Sequence, residues 1–316
     1  MAKAKQRRQI LAKSKRIILK IMHIGIDIGG TNIKGILLNG DKKIVAKKKV
    51  PTRSKTNPKI IFGQIFKCIE SLVKKGKNVK EIGIGVAGPV DVKNQIVLNP
   101  PNVVGLKNLE LGKIIEEKFK IKTVIDNDVH CLALAEAIMG AGKDKNLVVA
   151  LGIGTGVGGG IVMNKKIIYG KSGTAGELGH MMIDKYGRKC GCGARGCLEA
   201  YINEKGIQKT SREFFGRRVK TVCLHPMARK GDLKARETWE VTGKYLGLGL
   251  ANIVDTFNPD IIIIGGGMSN AGELLLNPAK KEMRKNILSP LAKKTKVVKA
   301  KLGEWAGAIG AALLNE

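Results

Sequence analysis

Acidic residues are scarce in this chain: 26 Asp and Glu stand against 57 Lys and Arg, a formal net charge of +31 over 316 residues. Such an excess draws polyanions to a surface. The aromatic residues needed to stack on bases are scarcer still, with two Trp, four Tyr and six Phe. The lysines are also spread along the chain rather than gathered in one stripe, so no specific nucleic-acid interface is expected. Long apolar runs are missing too. None approaches the roughly 18 residues that span a bilayer, and the segment 17–28 is broken by Lys20, His23 and Asp27 and has no small-residue cleavage site. The expected location is therefore the cytoplasm, without a membrane span. Nothing in the chain implies an oxidising compartment, which argues against reading its six cysteines as a disulfide framework.

The length suffices for two domains of ordinary size, each with its own core. Residues 1–22 stand apart: they carry eight Lys and Arg and no acidic residue, yet a net +23 of the +31 remains without them. Ile10, Leu11, Ile17, Ile18 and Ile21 could line a basic amphipathic helix, but a disordered tail preceding a strand at Met22–Asp27 accounts for them equally well.

The rest of the chain contains a repeat. An apolar strand from His23, a Gly-Gly-Thr turn, a strand at 33–38, a turn at 39–41 and a strand at 44–47 recur as a strand at 147–151, a turn at Gly154-Thr155-Gly156, a strand at 160–163, a turn at 164–165 and a strand at 167–169. Each half later supplies a buried strand ending in glycine, at 82–88 and 261–267, preceded by helical stretches. Two such copies predict a duplicated α/β domain with a cleft between the halves and ligands at the glycine-rich strand ends.

The turns themselves suit phosphate. Asp27-Ile-Gly29-Gly30-Thr31-Asn32 offers backbone N–H groups, a hydroxyl and a carboxylate able to hold hydrated Mg²⁺. Gly154-Thr155-Gly156 offers a second turn, and the two suit a nucleoside triphosphate. Gly154, Gly156 and Gly159 also fit the dinucleotide pattern, but Ile161-Val162-Met163 continues as a strand where that motif needs a helix. Gly265-Gly266-Gly267 closes the last strong strand. The stretch 303–314 reads as a terminal helix whose Gly307 and Gly310 serve close packing or leave room for an adenine ring.

One histidine and three cysteines, in Glu177-Leu-Gly-His180 and Cys190-Gly-Cys192-Gly-Ala-Arg-Gly-Cys197-Leu-Glu199, have the composition of a closed tetrahedral zinc site, with Glu177 and Glu199 flanking it. The remaining cysteines, Cys68, Cys131 and Cys223, read as small core residues. Ile125-Asp126-Asn127-Asp128 lies where a strand gives way to a helix at 129–139. A carboxylate there can take the proton of a hydroxyl attacking a γ-phosphate, while Asn127 binds another hydroxyl. Since Asn and Asp favour helix starts, one of Asp126 and Asp128 is expected to cap and the other to work. His130 is expected to be structural.

From Met22 onward these segments, together with Gly85-Val-Ala-Gly88-Pro-Val90, resemble the ROK family of sugar kinases and sugar-responsive repressors, within the actin-like ATPase superfamily; the cysteine signature is the most specific part of the likeness. The resemblance implies duplicated actin-like (RNase H-like) domains: a smaller one at 23–124 joined by the helix at 303–316, and a larger one at 125–302 carrying the zinc loop. It implies Asp128 as general base on a sugar 6-hydroxyl, and sugar contacts from Gly88, Asn102, Asn127, Asp128, Glu177, His180 and Glu199. ATP phosphates with Mg²⁺ would meet Asp27, Gly29, Gly30, Thr31, Asn32, Lys34, Gly154, Thr155, Gly156, Gly265, Gly266 and Gly267. Zinc on His180, Cys190, Cys192 and Cys197 would fix His180 and Glu199 from behind.

Leu106 stands where family glucokinases commonly carry tryptophan. The expected activity is a hexokinase-type transfer from ATP, glucose being the first acceptor and N-acetylmannosamine, N-acetylglucosamine, mannose or fructose the alternatives. A sugar-sensing repressor is the competing class, and 22 residues ahead of the first strand are too few for its DNA-binding helices. Family members commonly dimerise, so a homodimer is expected.

Overall fold

The computed structural model describes residues 21–315, so the basic extension lies outside the described residues except for Ile21 and Met22. The chain divides into two compact units, one comprising the described residues up to Ala135 with those from Trp305 onward, the other Glu136–Glu304.

In the first unit β1 (Met22–Ile28), β2 (Asn32–Asn39) and β3 (Ile44–Pro51) form an antiparallel meander. Helix α1 (Pro58–Val73) then returns the chain to β4 (Val79–Val86), which runs parallel to β1. Asn57 starts that helix by accepting the Lys59 N–H at 2.9 Å, with Pro58 preset for the first turn. Its buried residues Ile61, Ile65, Cys68, Ile69 and Leu72 recur at helical spacing as one apolar stripe. A small hairpin, β5 (Val90–Asp91) and β6 (Ile96–Val97), and helix α2 (Leu111–Phe119) lead to β7 (Lys122–Asn127), parallel to β4, which passes directly into α3 (Asp128–Ile138).

The second unit repeats the plan. β8 (Leu147–Ile153), β9 (Val157–Met163) and β10 (Lys166–Ile167) form its meander. The helices α4 (Glu199–Ile202), α5 (Glu204–Phe215), α6 (Thr221–Arg229) and α7 (Leu233–Phe257) precede β11 (Ile261–Gly265), which pairs parallel with β8. After α8 (Glu273–Asn286), β12 (Lys296–Lys299) adds a parallel edge strand. The sheet orders are β3-β2-β1-β4-β7 and β10-β9-β8-β11-β12. The repeat read from the sequence is thus a repeat of topology, strand for strand.

Two expectations are corrected. The first unit does not stop at residue 124, because β7 hydrogen-bonds along β4 from Lys122 to Asn127; the boundary falls inside α3, at Ala135/Glu136. Cys223 is exposed on α6, unlike the fully buried Cys68 and Cys131, because the buried side of that short helix is taken by Thr221, Leu224 and Ala228. Leu106 belongs to the first unit's apolar core. Among the described residues no helix is long and apolar enough to cross a membrane.

The last helix, α9 (Ala306–Ala312), packs on the first sheet at a separation that only glycine allows. A Cβ on Gly25 would stand 1.9 Å from the Ala308 carbonyl oxygen, one on Gly83 1.8 Å from that of Ala311, and one on Gly310 1.7 Å from that of Cys131. Gly310 therefore serves close packing. Gly83→Ala must push the helix off the sheet and should cost about 2–3 kcal/mol by overpacking, read as a lower urea midpoint. A midpoint equal to wild type would mean that α9 is free to shift.

Candidate functional site

Parallel pairing brings the ends of β1, β4 and β7 to one edge of the first sheet. Asp27 lies opposite Gly85, Gly85 opposite Asp126, and Val86 opposite Asn127. The turn after β1 closes through Gly29 N–H to the Asn32 carbonyl at 3.1 Å. It is held from outside by Thr52, fully buried, whose hydroxyl donates to the Gly29 carbonyl at 2.6 Å and whose N–H donates to that of Thr31 at 2.9 Å. Sequence reading gave Thr52 no role, since its partners lie more than twenty residues away and no local pattern marks it. Thr31 is exposed at the turn, and Asn102 packs beside it: a Cβ on Gly30 would stand 2.9 Å from Asn102 Cβ.

Four polar groups converge where β7 becomes α3. Asn127, not an aspartate, caps the helix: its Oδ1 accepts the N–H groups of Val129 at 2.8 Å and His130 at 3.3 Å. The reason is positional, since Asn127 immediately precedes the first helical turn that Asp128 begins. Asn127 Nδ2 donates to the Gly88 carbonyl at 2.9 Å, which leaves one amide hydrogen for another acceptor. Gly88 has a φ of +122°, a conformation open to glycine, and a Cβ there would meet Pro101 Cδ at 2.9 Å. Asp126 is buried, accepts the Asn127 N–H at 2.6 Å and meets His130 Nδ1 at 2.8 Å, so His130 serves the framework.

Asp128 is left at the helix start. Burial pushes its carboxyl above the usual carboxylate range, opposed by backbone N–H groups of the first turn and by His130. Asp27 is pushed up to about 7, first by burial and then by the negative charge of Asp128. Lys34, opposite Asp27 in the β1–β2 register with Nζ 3.9 Å from Oδ2, works against the shift. Beside Asp27 lies Gly307, where a Cβ would stand 2.9 Å from Cγ, so this glycine lets α9 approach the carboxylate.

In the second unit the Gly154–Gly156 turn joins β8 to β9 and is closed by Gly154 N–H to the Gly156 carbonyl at 2.9 Å, with Thr155 exposed at its tip. β9 then runs on as a strand, so the glycine pattern here is not a dinucleotide motif. Gly265 pairs with Gly152, and Gly266, at φ +78°, presses on Ile153, where a Cβ would stand 2.3 Å from the carbonyl oxygen. The Gly265–Gly267 run and the Gly154–Gly156 turn therefore share one sheet end.

The cysteine segment folds back on itself. Lys189 bridges Arg195, Met182 bridges Cys197, and Cys190 N–H donates to the Ala194 carbonyl at 2.8 Å. This brings one ligand atom from each of His180, Cys190, Cys192 and Cys197 within 4.8 Å of one another. Cys192 Sγ lies 3.7 Å from Cys197 Sγ, and Cys190 Sγ lies 3.7 Å from His180 Nδ1. Tetrahedral zinc with its usual bond lengths sets S–S edges of about 3.8 Å and N–S edges of about 3.6 Å, whereas a disulfide would bring sulfurs to about 2.05 Å. The cluster fits zinc and not a disulfide. Nδ1 is the ring nitrogen of His180 that faces the sulfurs. Without a cation, burial pushes the Cys190 thiol up to about 12; a bound metal ion would reverse this, since a coordinating thiol is deprotonated.

Glu199 carries its carboxylate between this cluster and the turn: Oε2 accepts the Val157 N–H at 2.8 Å and Oε1 lies 3.6 Å from Cys190 Sγ. Glu177 is exposed and caps nothing. An anchor below the segment escaped the sequence reading. The Tyr201 hydroxyl donates to Asp184 at 2.9 Å and accepts the Arg188 N–H at 2.9 Å, while the Arg188 guanidinium binds the Gly206 carbonyl, the Thr210 hydroxyl and Glu213.

The ROK family model matches residues 23–316. The chain belongs to the ROK family. It is 32% identical over 307 residues to the glucokinase of Thermotoga maritima, covering 93% of this chain and 96% of that protein. It is equally 32% identical, over 290 residues, to the xylose repressor of Bacillus spizizenii, covering 91% of this chain and 75% of the repressor. Among solved structures, a ROK family glucokinase from Streptomyces griseus in complex with glucose and AMPPNP superposes with a TM-score of 0.81 at 30% identity, covering 93% of this chain and 98% of that one. The fold is thus that of the ROK structures.

The cluster should hold one zinc ion per chain by elemental analysis. Cys192→Ser, at the exposed ligand, should lower occupancy, and chelation should lower the melting temperature. Retention should fail as pH drops and the ligands take up protons. A full complement of zinc in a Cys192→Ser, Cys197→Ser double variant would refute the ligand set.

Proposed function

We propose that this protein is an ATP- and Mg²⁺-dependent sugar kinase that phosphorylates the 6-hydroxyl of a hexose, with glucose as the preferred acceptor. The observation that carries this reading is the pair of desolvated carboxylates, Asp128 at a helix start and Asp27 at a phosphate-type turn, on one edge of the first sheet. A carboxyl raised toward working pH is a better general base than an ordinary one. The 6-hydroxyl gives its proton to Asp128 as its oxygen bonds to the γ-phosphorus. The bond from that phosphorus to the β–γ bridging oxygen breaks, and ADP departs. N–H groups of Gly30 and Gly156, in turns closed by the N–H groups of Gly29 and Gly154, would hold the phosphates while charge moves onto the leaving oxygen.

One carboxylate beside phosphates is a donor set that suits Mg²⁺, and Asp27 would hold it, directly or through water. When bound, the cation neutralises charge on the transferring phosphoryl group. Asn127 retains an amide hydrogen for a sugar hydroxyl, and His180, Glu177, Glu199, Gly88 and Asn102 supply further contacts. Zinc on His180 and the three cysteines would act structurally, orienting the imidazole so that Nε2 is free for substrate.

The repressor relative keeps a second reading open, a sugar sensor without transfer. The phosphate turns and Asp128 favour the enzyme. N-acetylhexosamines and fructose are alternative acceptors, and a homodimer, measurable by light scattering, is the proposed assembly.

ADP release should be selective for one sugar in a panel of hexoses and N-acetylhexosamines, glucose leading. Asp128→Asn should lower kcat by about a thousandfold, within the range general bases contribute, with sugar affinity changed only a few-fold. Wild-type turnover in that variant would sink the assignment. Asp27 supplies a pH test. Its folded pKa exceeds the unfolded value, so between about 4 and 7 the folded chain binds more protons than the unfolded one and stability falls as pH rises. Mg²⁺-nucleotide binding at pH 6 should therefore release a proton, seen as a buffer-dependent calorimetric enthalpy that vanishes above pH 8. The same enthalpy in all buffers at pH 6 would remove Asp27 from the cation site.

A further inference from the structure

The Gly154–Gly156 turn has one backbone bond of its own, and both of its flanks are held by the cysteine segment's neighbours. After the turn, Val157 N–H donates to Glu199 Oε2 at 2.8 Å; before it, the Gly154 carbonyl accepts the Glu204 N–H at 2.9 Å. Glu199 lies two residues beyond the metal ligand Cys197, and its other carboxylate oxygen lies 3.6 Å from the ligand Cys190. Gly179, adjacent to the ligand His180, also packs so closely on Val157 that a Cβ would stand 2.1 Å from the Val157 carbonyl oxygen. Gly156 has little room either: a Cβ there would stand 3.0 Å from Glu199 Oε2. Two ligand-bearing segments thus grip Val157, the residue next to the turn.

We propose that the His180–Cys190–Cys192–Cys197 cluster also sets the geometry of the nucleotide-phosphate turn, with Glu199 as the positioning residue that links them. This rests on the reading of Gly154–Gly156 as a phosphate turn. Metal binding draws His180 and Cys197 to one point and so fixes Gly179 and Glu199 against Val157; the turn's N–H groups are then oriented before nucleotide arrives. A carboxylate has enough lone pairs for Glu199 Oε2 to keep Val157 and still meet a sugar hydroxyl. The coupling needs no sugar. Because binding linkage is reciprocal, nucleotide must tighten metal binding by the factor by which metal tightens nucleotide binding.

The test uses the purified, zinc-loaded protein without sugar. Zinc transfer to a chromogenic chelator is followed at equilibrium with and without saturating ADP and Mg²⁺, and ADP affinity is measured by calorimetry. ADP should raise zinc affinity about tenfold, inside the usual range of coupling factors. Glu199→Ala should bind both ligands and lose the effect, while Glu199→Gln, which keeps an acceptor for Val157, should retain most of it. A role confined to stability would shift zinc affinity in the variants without changing its dependence on ADP. Zinc affinity that ADP leaves unaltered in the wild-type chain, with ADP shown to bind, would overturn the coupling. Absence of ADP binding to the loaded protein would instead overturn the phosphate reading beneath it.

Discussion

Parallel pairing of β4 with β1, and of β11 with β8, is the constraint on which the candidate groups depend. Parallel strands end on the same side, so whatever follows each of them meets at one edge of its sheet. In the first unit that edge receives the Asp27–Asn32 turn, Gly88 and the Asn127–Asp128 junction. In the second it receives the Gly154–Gly156 turn and the Gly265–Gly267 run. A one-residue slip in either pairing would turn the side chains at these ends to the opposite face. The isoleucines of β1 and β4, which alternate with glycine or polar residues, resist such a slip in the first sheet.

Ordered strand ends come at an electrostatic cost in the first unit. Asp27, Asp126 and Asp128 lie close to one another in a region that strips them of water, and the framework treats them differently. Asp126 is compensated, accepting a backbone N–H and meeting His130. Asp27 has Lys34 only at 3.9 Å, and Asp128 has weak backbone donors, so both carboxyls stay raised. Neighbouring carboxylates that cannot all ionise cheaply form a poor structural device and a good receptor for a cation and a proton.

The legible part of the molecule was whatever repeats or clusters locally. The meander was visible because its turns and apolar runs recur, and the histidine–cysteine cluster because Cys190, Cys192 and Cys197 fall within eight residues. The three-strand order of each sheet followed from that repeat. What stayed hidden depends on partners far away in the chain. Thr52 acts on residues more than twenty positions upstream, and Arg188 reaches residues up to 25 positions on. The unit boundary was misplaced because β7 looks like the start of a new strand–helix pair, whereas its hydrogen-bond partner is β4. The cap at α3 went to Asn127 because capping is decided by a single residue of register, which composition alone does not fix.

The cysteine segment has the character of one that a metal ion would order. From Gly187 to Gly196 it holds four glycines, which bring flexibility, and only Cys190 within it joins the apolar core, so packing constrains it weakly. Its outer support is polar: Asp184, Tyr201 and Arg188 fasten its base to α5, the guanidinium also lying 4.9 Å from the Tyr201 ring centre. That network fixes where the segment starts, but Cys192 at its tip is exposed. A tetrahedral ion would supply the missing constraint, since four ligands drawn from 180 to 197 can meet in only a narrow set of backbone conformations. The same glycines that loosen the segment would let it close tightly around an ion, and Glu199, two residues past Cys197, would take its position from that closure.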